Sequence, residues 1–291
     1  MPPRPIRELR DLNRYRASLE REHTRVANRI QKVLEDANIK LASVASDVLG
    51  QSGRHMLCAI ITGECDADRL AEMAQGRLRN RIPELRLALH GRVFDHHRFW
   101  LRQLFDHLLF LEGKISEVAQ EIERRSQPFE DAVSRWDTIP GVDRITACAL
   151  VAEIGSNMDR FPSAAHAASW AGFCPGNNES AGKRRSGKTR KGSPWLRRIL
   201  CQAAWAASHT KTTYLAAQYH RLAARRGKKR GIVAVAHSIL TIAYHLQQRG
   251  ESYCDLGADY FERLNAEGLK RYLVRRLERL GHQVSLQPLI A

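Results

Sequence analysis

The stretch that decides the fold class is residues 101–122, LRQLFDHLLFLEGKISEVAQEI. Large aliphatic residues recur along it at alternating spacings of three and four. They are Leu101, Leu104, Leu108, Leu111, Ile115, Val118 and Ile122. This is the a/d pattern of a heptad repeat, sustained over three heptads. It predicts one long amphipathic α-helix.

A second long helix is predicted upstream, from about Pro5 to Leu49. Leu12, Leu19, Val26 and Val33 are spaced by seven residues, and the other faces are rich in charged side chains. We expect the two helices to pair as a long antiparallel, coiled-coil-like arm, and this arm to support a homo-oligomer. Ordinary buried helices are the alternative.

The remaining patterns are helical too, so the predicted fold class is mainly α. Pro128 breaks the second helix and marks a boundary. We therefore predict a helical arm over residues 1–127, a compact domain over residues 128–250 and a basic helical tail over residues 251–291.

The compact domain begins with a helix-hairpin-helix signature around the Pro-Gly turn of residues 136–144, WDTIPGVDR. Gly141 would let the backbone approach a phosphate, and the helix beginning near Arg144 would offer free N–H groups to it. Both residues are therefore candidate DNA contacts. An ordinary connection between two helices is the alternative.

A basic loop follows at residues 176–192, GNNESAGKRRSGKTRKG. With almost no apolar residue it is not expected to fold alone, but it can bind a polyanion. The predicted DNA contacts in and after it are Lys183, Arg184, Arg185, Lys188, Arg190, Lys191, Arg197 and Arg198. Its match to the G-x-x-x-x-G-K-T pattern at residues 182–189 lacks the flanking strand and helix of a P-loop, so nucleotide binding is not predicted.

Two serines of this loop are candidate nucleophiles. Ser180 and Ser186 both lie among lysines and arginines, and attack on a phosphodiester needs cations around the developing negative charge. Composition alone does not choose between them, and a flexible polar loop is the alternative for each.

The overall charge narrows the class of partner. With 47 Lys and Arg against 31 Asp and Glu, the net charge is +16, which attracts polyanions such as nucleic acid. Neither a signal peptide nor a membrane-spanning segment is predicted, so we expect a cytoplasmic protein with reduced cysteines. The cysteines and histidines, including His96, His97 and His107, show no metal-binding pattern, and no metal site is predicted.

Several short motifs resemble the C-terminal domain of the insertion-sequence 110/116/902 transposases. They are Ile139-Pro-Gly-Val, Leu150-Val-Ala-Glu-Ile-Gly, Phe161, Ala171-Gly-Phe-Cys-Pro-Gly, Ser180-Ala-Gly-Lys, Lys191-Gly and Leu196-Arg-Arg. The opening residues 5–12, PIRELRDL, also resemble the segment that joins the two catalytic parts of that family.

The resemblance implies DNA transposition or site-specific recombination, with DNA of the element ends and of the target as partner. It implies that Ser180 is a nucleophile that forms a covalent link with DNA. Several family members are guided by an RNA, so a guide RNA is a further possible partner.

The family's other half is a RuvC-like nuclease fold with metal-binding carboxylates, expected before Pro5. We expect that half to be absent from this chain, so that the chain alone binds no cofactor, while a complete family member uses Mg²⁺. Whether the chain is itself an enzyme stays open. The alternative function is a truncated, non-catalytic nucleic-acid-binding protein.

Overall fold

The computed structural model describes residues 2–176 and 178–287, without the side chains of Asn178, Arg184 and Arg185. The described chain forms two compact units. The first contains the residues up to Arg10 and those from Arg125 onward, and the second is Asp11–Arg124. The predicted division at residues 127 and 250 stays a prediction.

The second unit is helical. Its elements are α1 (Arg4–Asp36), α2 (Leu41–Val44), α3 (Gln51–Thr62), α4 (Ala67–Glu72), α5 (Ile82–Ala88) and α6 (Asp95–Ser126), with a 3-10 helix at Gly76–Arg81. The unit begins at Asp11 within α1 and ends at Arg124 within α6.

Helices α1 and α6 are antiparallel within this unit. His23 lies 3.0 Å from Glu112, whereas Asp36, further along α1, lies 3.0 Å from His97, near the start of α6. Leucines and valines of both helices share one core with residues of α3 to α5. The coiled-coil geometry of the pair stays a prediction.

The first unit holds the helices from α7 onward. They are α7 (Glu130–Asp137), α8 (Arg144–Ile154), α9 (Ala164–Trp170), α10 (Pro194–His209), α11 (Tyr214–Arg226), α12 (Lys228–Arg249), α13 (Tyr260–Leu264) and α14 (Ala266–Arg279). Single 3-10 turns lie at Gln127–Phe129 and Met158–Arg160.

Helix α12 lies at the centre of the first unit and packs against α7, α9, α10 and α11. The fully buried Trp136 of α7 donates its indole N–H to the carbonyl of Ala243 at 3.0 Å. Tyr244 of α12 donates its hydroxyl to the carbonyl of Phe161 at 3.1 Å. Buried aromatic rings thus fix α12 with both packing and a satisfied polar group.

The mainly α fold class is confirmed, with two corrections. The first helix ends at Asp36, not near Leu49, because Asn38 takes the left-handed conformation (φ 60°) and the chain turns. The basic loop contains a two-stranded antiparallel hairpin, β1 (Asn178–Ser180) and β2 (Lys183–Ser186).

Candidate nucleic-acid interface

The hairpin places Ser180 at its tip. Ser180 ends β1, is exposed and pairs with Lys183 at the start of β2. The two turn residues, Ala181 (φ 51°) and Gly182 (φ 70°), both have positive φ, as a type I′ turn requires. The turn therefore brings the hydroxyl-bearing residue and a lysine to the same cross-strand position.

The hairpin continues below its two strands as a ladder of backbone contacts. Gly176 N–H donates to the Lys188 carbonyl at 2.9 Å, and Arg190 N–H donates to the Cys174 carbonyl at 3.2 Å. Between these bonds Pro175 and Thr189 form an antiparallel bridge. The segment that was predicted not to fold alone thus forms, in its described residues, a hairpin between α9 and α10.

Two glycines allow the chain segments to cross at the base of the hairpin. A Cβ on Gly192 would lie 2.2 Å from the Ala171 carbonyl oxygen, and a Cβ on Gly172 would lie 2.7 Å from Gly192 N. Gly172 also has a positive φ of 76°. Any side chain at either position would push the two segments apart.

Arg197 of α10 fastens this base. Its Nη2 donates to the Gly172 carbonyl, to Thr189 Oγ1 at 3.0 Å and to the Arg190 carbonyl at 3.1 Å. The guanidinium carbon also lies 5.1 Å from the ring centre of Phe173. These charge-assisted bonds and the ring contact link the incoming and outgoing segments. The structure thus gives Arg197 contacts within the protein, and its predicted contact with DNA stays a prediction.

The other cations of the hairpin are mostly open to solvent. Lys183, Lys188, Arg190 and Lys191 are exposed, and Arg198 is half-buried. The predicted side-chain contacts of Arg184 and Arg185 lie outside the described residues. The exposed set surrounds the hairpin tip and base with positive charge, which suits a phosphate backbone.

The start of α10, which carries Arg197, is tied to the end of α8. Ser193 caps α10 by accepting the N–H of Leu196, and its hydroxyl lies 3.3 Å from Oε2 of the buried Glu153. Arg10 donates to the carbonyls of Ala152 and Glu153 at 2.8 and 3.0 Å. A cation at the end of a helix interacts favourably with its dipole. Hydrogen bonds therefore hold the start of α10, from which the hairpin's second strand is reached, against the end of α8.

The structure places Gly141 against protein. Its φ is 82°, and a Cβ there would lie 2.3 Å from the Ala203 carbonyl oxygen and 2.4 Å from the backbone nitrogen of Ala207. Close packing of the α7–α8 turn on α10 thus explains this glycine. Asp143 caps α8 by accepting the Thr146 N–H at 2.8 Å, which puts a carboxylate where a phosphate was predicted.

Arg144 is also engaged within the protein. Both of its terminal nitrogens donate to the Glu130 carboxylate at 2.7 Å. This bidentate pair, with a third hydrogen bond from the Ser134 hydroxyl, lowers the pKa of Glu130 to about 2. Helices α7 and α8 pack on each other, which is compatible with a helix-hairpin-helix. That motif and the DNA contacts of Gly141 and Arg144 stay predictions.

Sequence reasoning missed the residues that hold the hairpin. Gly172, Phe173, Thr189, Gly192 and Ser193 were not singled out individually. The signal for Ser193 was present, because serine followed by proline is a frequent helix start. Both glycines lie within the short family motifs, but the contact between them joins separate segments and could not be inferred from spacing.

One group in the described residues could bind a metal ion, in the second unit. It consists of Asp36, His96 and His97. His97 accepts the Phe94 N–H through Nδ1 at 3.2 Å, and its Nε2 lies 3.0 Å from Asp36. Two imidazoles and one carboxylate are not the oxygen ligands that Mg²⁺ prefers. These residues do not fit the Mg²⁺ that the resemblance implies.

The first unit is thus a helical domain that presents a basic hairpin with a serine at its tip. Residues 133–221, which include the α7–α8 turn and the hairpin, match the Transposase IS116/IS110/IS902 family. Over this segment the match confirms the resemblance that the sequence motifs indicate.

A named relative agrees with the family match. Over 180 residues the chain is 29% identical to the putative transposase y4pF/y4sB of Sinorhizobium fredii (strain NBRC 101917 / NGR234). The match covers 59% of this chain and 42% of that relative, so it spans less than half of the relative's length. In the described part of the chain, every helix is too short or too polar to cross a bilayer.

Proposed function

We propose that this chain binds DNA as part of an insertion-sequence transposase and that Ser180 is its nucleophile. The observation that carries the proposal is the position of Ser180. It is exposed at the tip of an ordered hairpin, paired with the exposed Lys183, inside the segment that matches the family.

The proposed reaction is attack on a phosphodiester. Ser180 Oγ forms a bond with phosphorus, one phosphorus–oxygen bond to a deoxyribose breaks, and the released sugar oxygen gains the proton that the serine loses. The transition state carries excess negative charge on its oxygens, which nearby cations stabilise. Lys183 is the nearest candidate in the hairpin register, and Lys188 and Lys191 would hold the flanking phosphates.

Ser186 is the less suitable serine. It ends β2, is only half-exposed, and its Oγ accepts the backbone N–H of Lys188 at 3.1 Å. A hydroxyl used to stabilise the strand end is less free to approach a phosphate. This contact favours Ser180, the serine that the family resemblance also indicates.

The partners follow the same proposal. DNA of the element ends and of the target is the substrate, in the cytoplasm. A guide RNA and a homo-oligomer formed through the arm rest on the resemblance and on the heptad pattern. The Mg²⁺ expected for a complete family member does not fit the described residues, so no step here depends on it.

The second candidate function is nucleic-acid binding without strand cleavage. It is favoured by the exposed Lys183, Lys188 and Lys191, which suffice for binding through counterion release. The two functions differ in whether a covalent bond to DNA forms.

The test compares Ser180→Ala with Ser186→Ala in a transposase that contains this chain. DNA carrying the element ends is incubated with each protein, and covalent protein–DNA products are separated on a denaturing gel. We expect Ser180→Ala to abolish the covalent product while DNA binding persists, and Ser186→Ala to keep it. Covalent product from Ser180→Ala at the parent level would contradict the assignment of the nucleophile.

A further inference from the structure

Helix α14 carries a stripe of arginines on its surface. Arg271, Arg275 and Arg279 are spaced by four residues, so they lie on one face at steps of about 6 Å along the helix axis. All three are exposed, and α14 buries none of its residues. The stripe therefore presents a linear array of positive charge to solvent.

These arginines keep their charge available. Within the described residues, none of the three forms an ion pair at 4.0 Å or less; Arg271 Nε donates to the backbone carbonyl of Glu267 at 3.3 Å, and the Glu267 carboxylate pairs with Lys270 at 2.8 Å. Tyr272 and Arg276 border the stripe, and Arg276 donates to the Tyr272 hydroxyl at 3.2 Å. Together with Gly268 these residues line a shallow depression of about 440 Å³.

We propose that α14 is a second DNA-binding element, which follows the phosphate backbone of duplex DNA with Arg271, Arg275 and Arg279. Duplex DNA carries one negative charge per about 1.7 Å of its axis, so a stripe of about 12 Å faces several phosphates. Exposed tyrosine and arginine side chains also donate hydrogen bonds to phosphate oxygens. The inference rests on the proposed function, because that function supplies DNA as the partner.

The opposite face of α14 is apolar, with Leu269, Leu273 and Leu277 at the same spacing. Helices with one basic and one apolar face also bind anionic membrane surfaces. The net charge of +16 over the whole chain and the match to a transposase family favour DNA as the occupant of the arginine face. The experiment must therefore distinguish DNA binding by α14 from binding to anionic vesicles.

The experiment replaces Arg271, Arg275 and Arg279 together by Gln and measures Kd for a linear DNA duplex over a range of salt concentrations. Each lost phosphate contact lowers the slope of log K against log salt by about 0.9. We expect a slope shallower by about 2.7, because three contacts are lost. The parent slope in this variant would overturn the proposal.

A matched control removes the same charge from exposed cations that are already paired. It is the triple variant Arg4→Gln, Arg263→Gln and Arg124→Gln, whose partners are Glu8, Asp259 and Glu121 at 2.7, 2.9 and 2.7 Å. We expect this control to keep the parent slope. If it lowers the slope as much as the α14 variant, total charge rather than the stripe controls binding, and the proposal is wrong.

Two further arms separate the possible failures. Neutralising Lys183, Lys188 and Lys191 tests the hairpin alone: if it leaves the slope unchanged while the α14 variant lowers it, the hairpin part of the proposed function fails and α14 stands. Vesicles containing phosphatidylserine test the membrane. If the α14 variant loses vesicle binding but keeps the parent DNA slope, α14 is a membrane-binding helix instead.

Discussion

The α7–α8 turn and the hairpin both combine a glycine with nearby cations at a reversal of the chain, but they use them differently. In the turn, Gly141 packs on α10 and Arg144 pairs with Glu130. In the hairpin, Lys183 and Lys188 are exposed, and a Cβ on the turn glycine, Gly182, would meet no described atom within 4 Å. The comparison shows that similar composition can serve packing in one place and an open charged surface in another.

The largest expected effect separates the two glycines. Gly141→Ala would place a methyl group against the α10 backbone at φ 82°, and we expect a loss of about 3 kcal/mol or more in the free energy of unfolding. Gly182→Ala is the control, because its φ is also positive (70°) but the space around it is open, so about 1 kcal/mol is expected. Urea unfolding of the whole chain measures both.

An unchanged free energy of unfolding for Gly141→Ala would contradict the packing role of this glycine. If Gly141→Ala unfolds like the parent but binds DNA more weakly, the glycine serves close approach to a phosphate rather than packing. The turn would then resemble the hairpin in function.

The next effect concerns the base of the hairpin. Arg197→Lys keeps the positive charge but loses the shared bonds to Gly172, Thr189 and Arg190, so we expect a local loss of about 2 kcal/mol. Amide exchange at Gly176 and Arg190 should then accelerate by roughly thirtyfold, since 1.4 kcal/mol corresponds to a factor of ten.

The neighbouring Arg198→Lys serves as its control and should leave amide exchange unchanged. The salt slope of DNA binding should stay at the parent value in both variants, because both keep their charge. Weaker DNA binding by Arg197→Lys with unchanged amide exchange would instead make Arg197 a direct phosphate contact.

The smallest effect is the pH dependence at Glu130. Its pKa is lowered to about 2, so its pair with Arg144 stabilises the fold above the ordinary carboxyl pKa of 4.5 and is lost as the pH falls through 2. Both side chains are more than a third exposed, so the contribution is about 1 kcal/mol or less.

Arg144→Gln should therefore be less stable than the parent at neutral pH, and the difference should vanish between pH 4.5 and pH 2. Urea unfolding across that range measures it. A difference that persists unchanged at pH 2 would mean that Arg144 acts through packing rather than through this ion pair.

The sequence predicts the long helices well but not where they end. The heptad of α6 marks a helix because its apolar face is continuous. The end of α1 was misplaced because Ile39, Leu41, Val44 and Val48 continue a helical spacing beyond Asn38 and are buried by the later helices. Periodicity alone could not distinguish one long helix from a turn followed by short elements.

The hairpin was missed for a different reason. Strands are recognised by alternating apolar residues and by turns such as Asn-Gly. Here the strands are polar, and the turn is Ala181-Gly182, with alanine in a conformation that a Cβ disfavours. Its base is held by the hydrogen bonds of Arg197 and by the close approach of Gly172 and Gly192, which are contacts between separate segments. The family motif indicates Ser180 as the nucleophile, and that role stays a prediction.

The fastening of the hairpin by Arg197 has a consequence for engineering. Two of its three acceptors are backbone carbonyls, those of Gly172 and Arg190, and therefore do not depend on the identity of the side chains above them. The residues between Gly176 and Lys188 can then be exchanged as a cassette, while the anchoring points remain. This domain is in that sense a scaffold whose hairpin tip can be replaced while its base is kept.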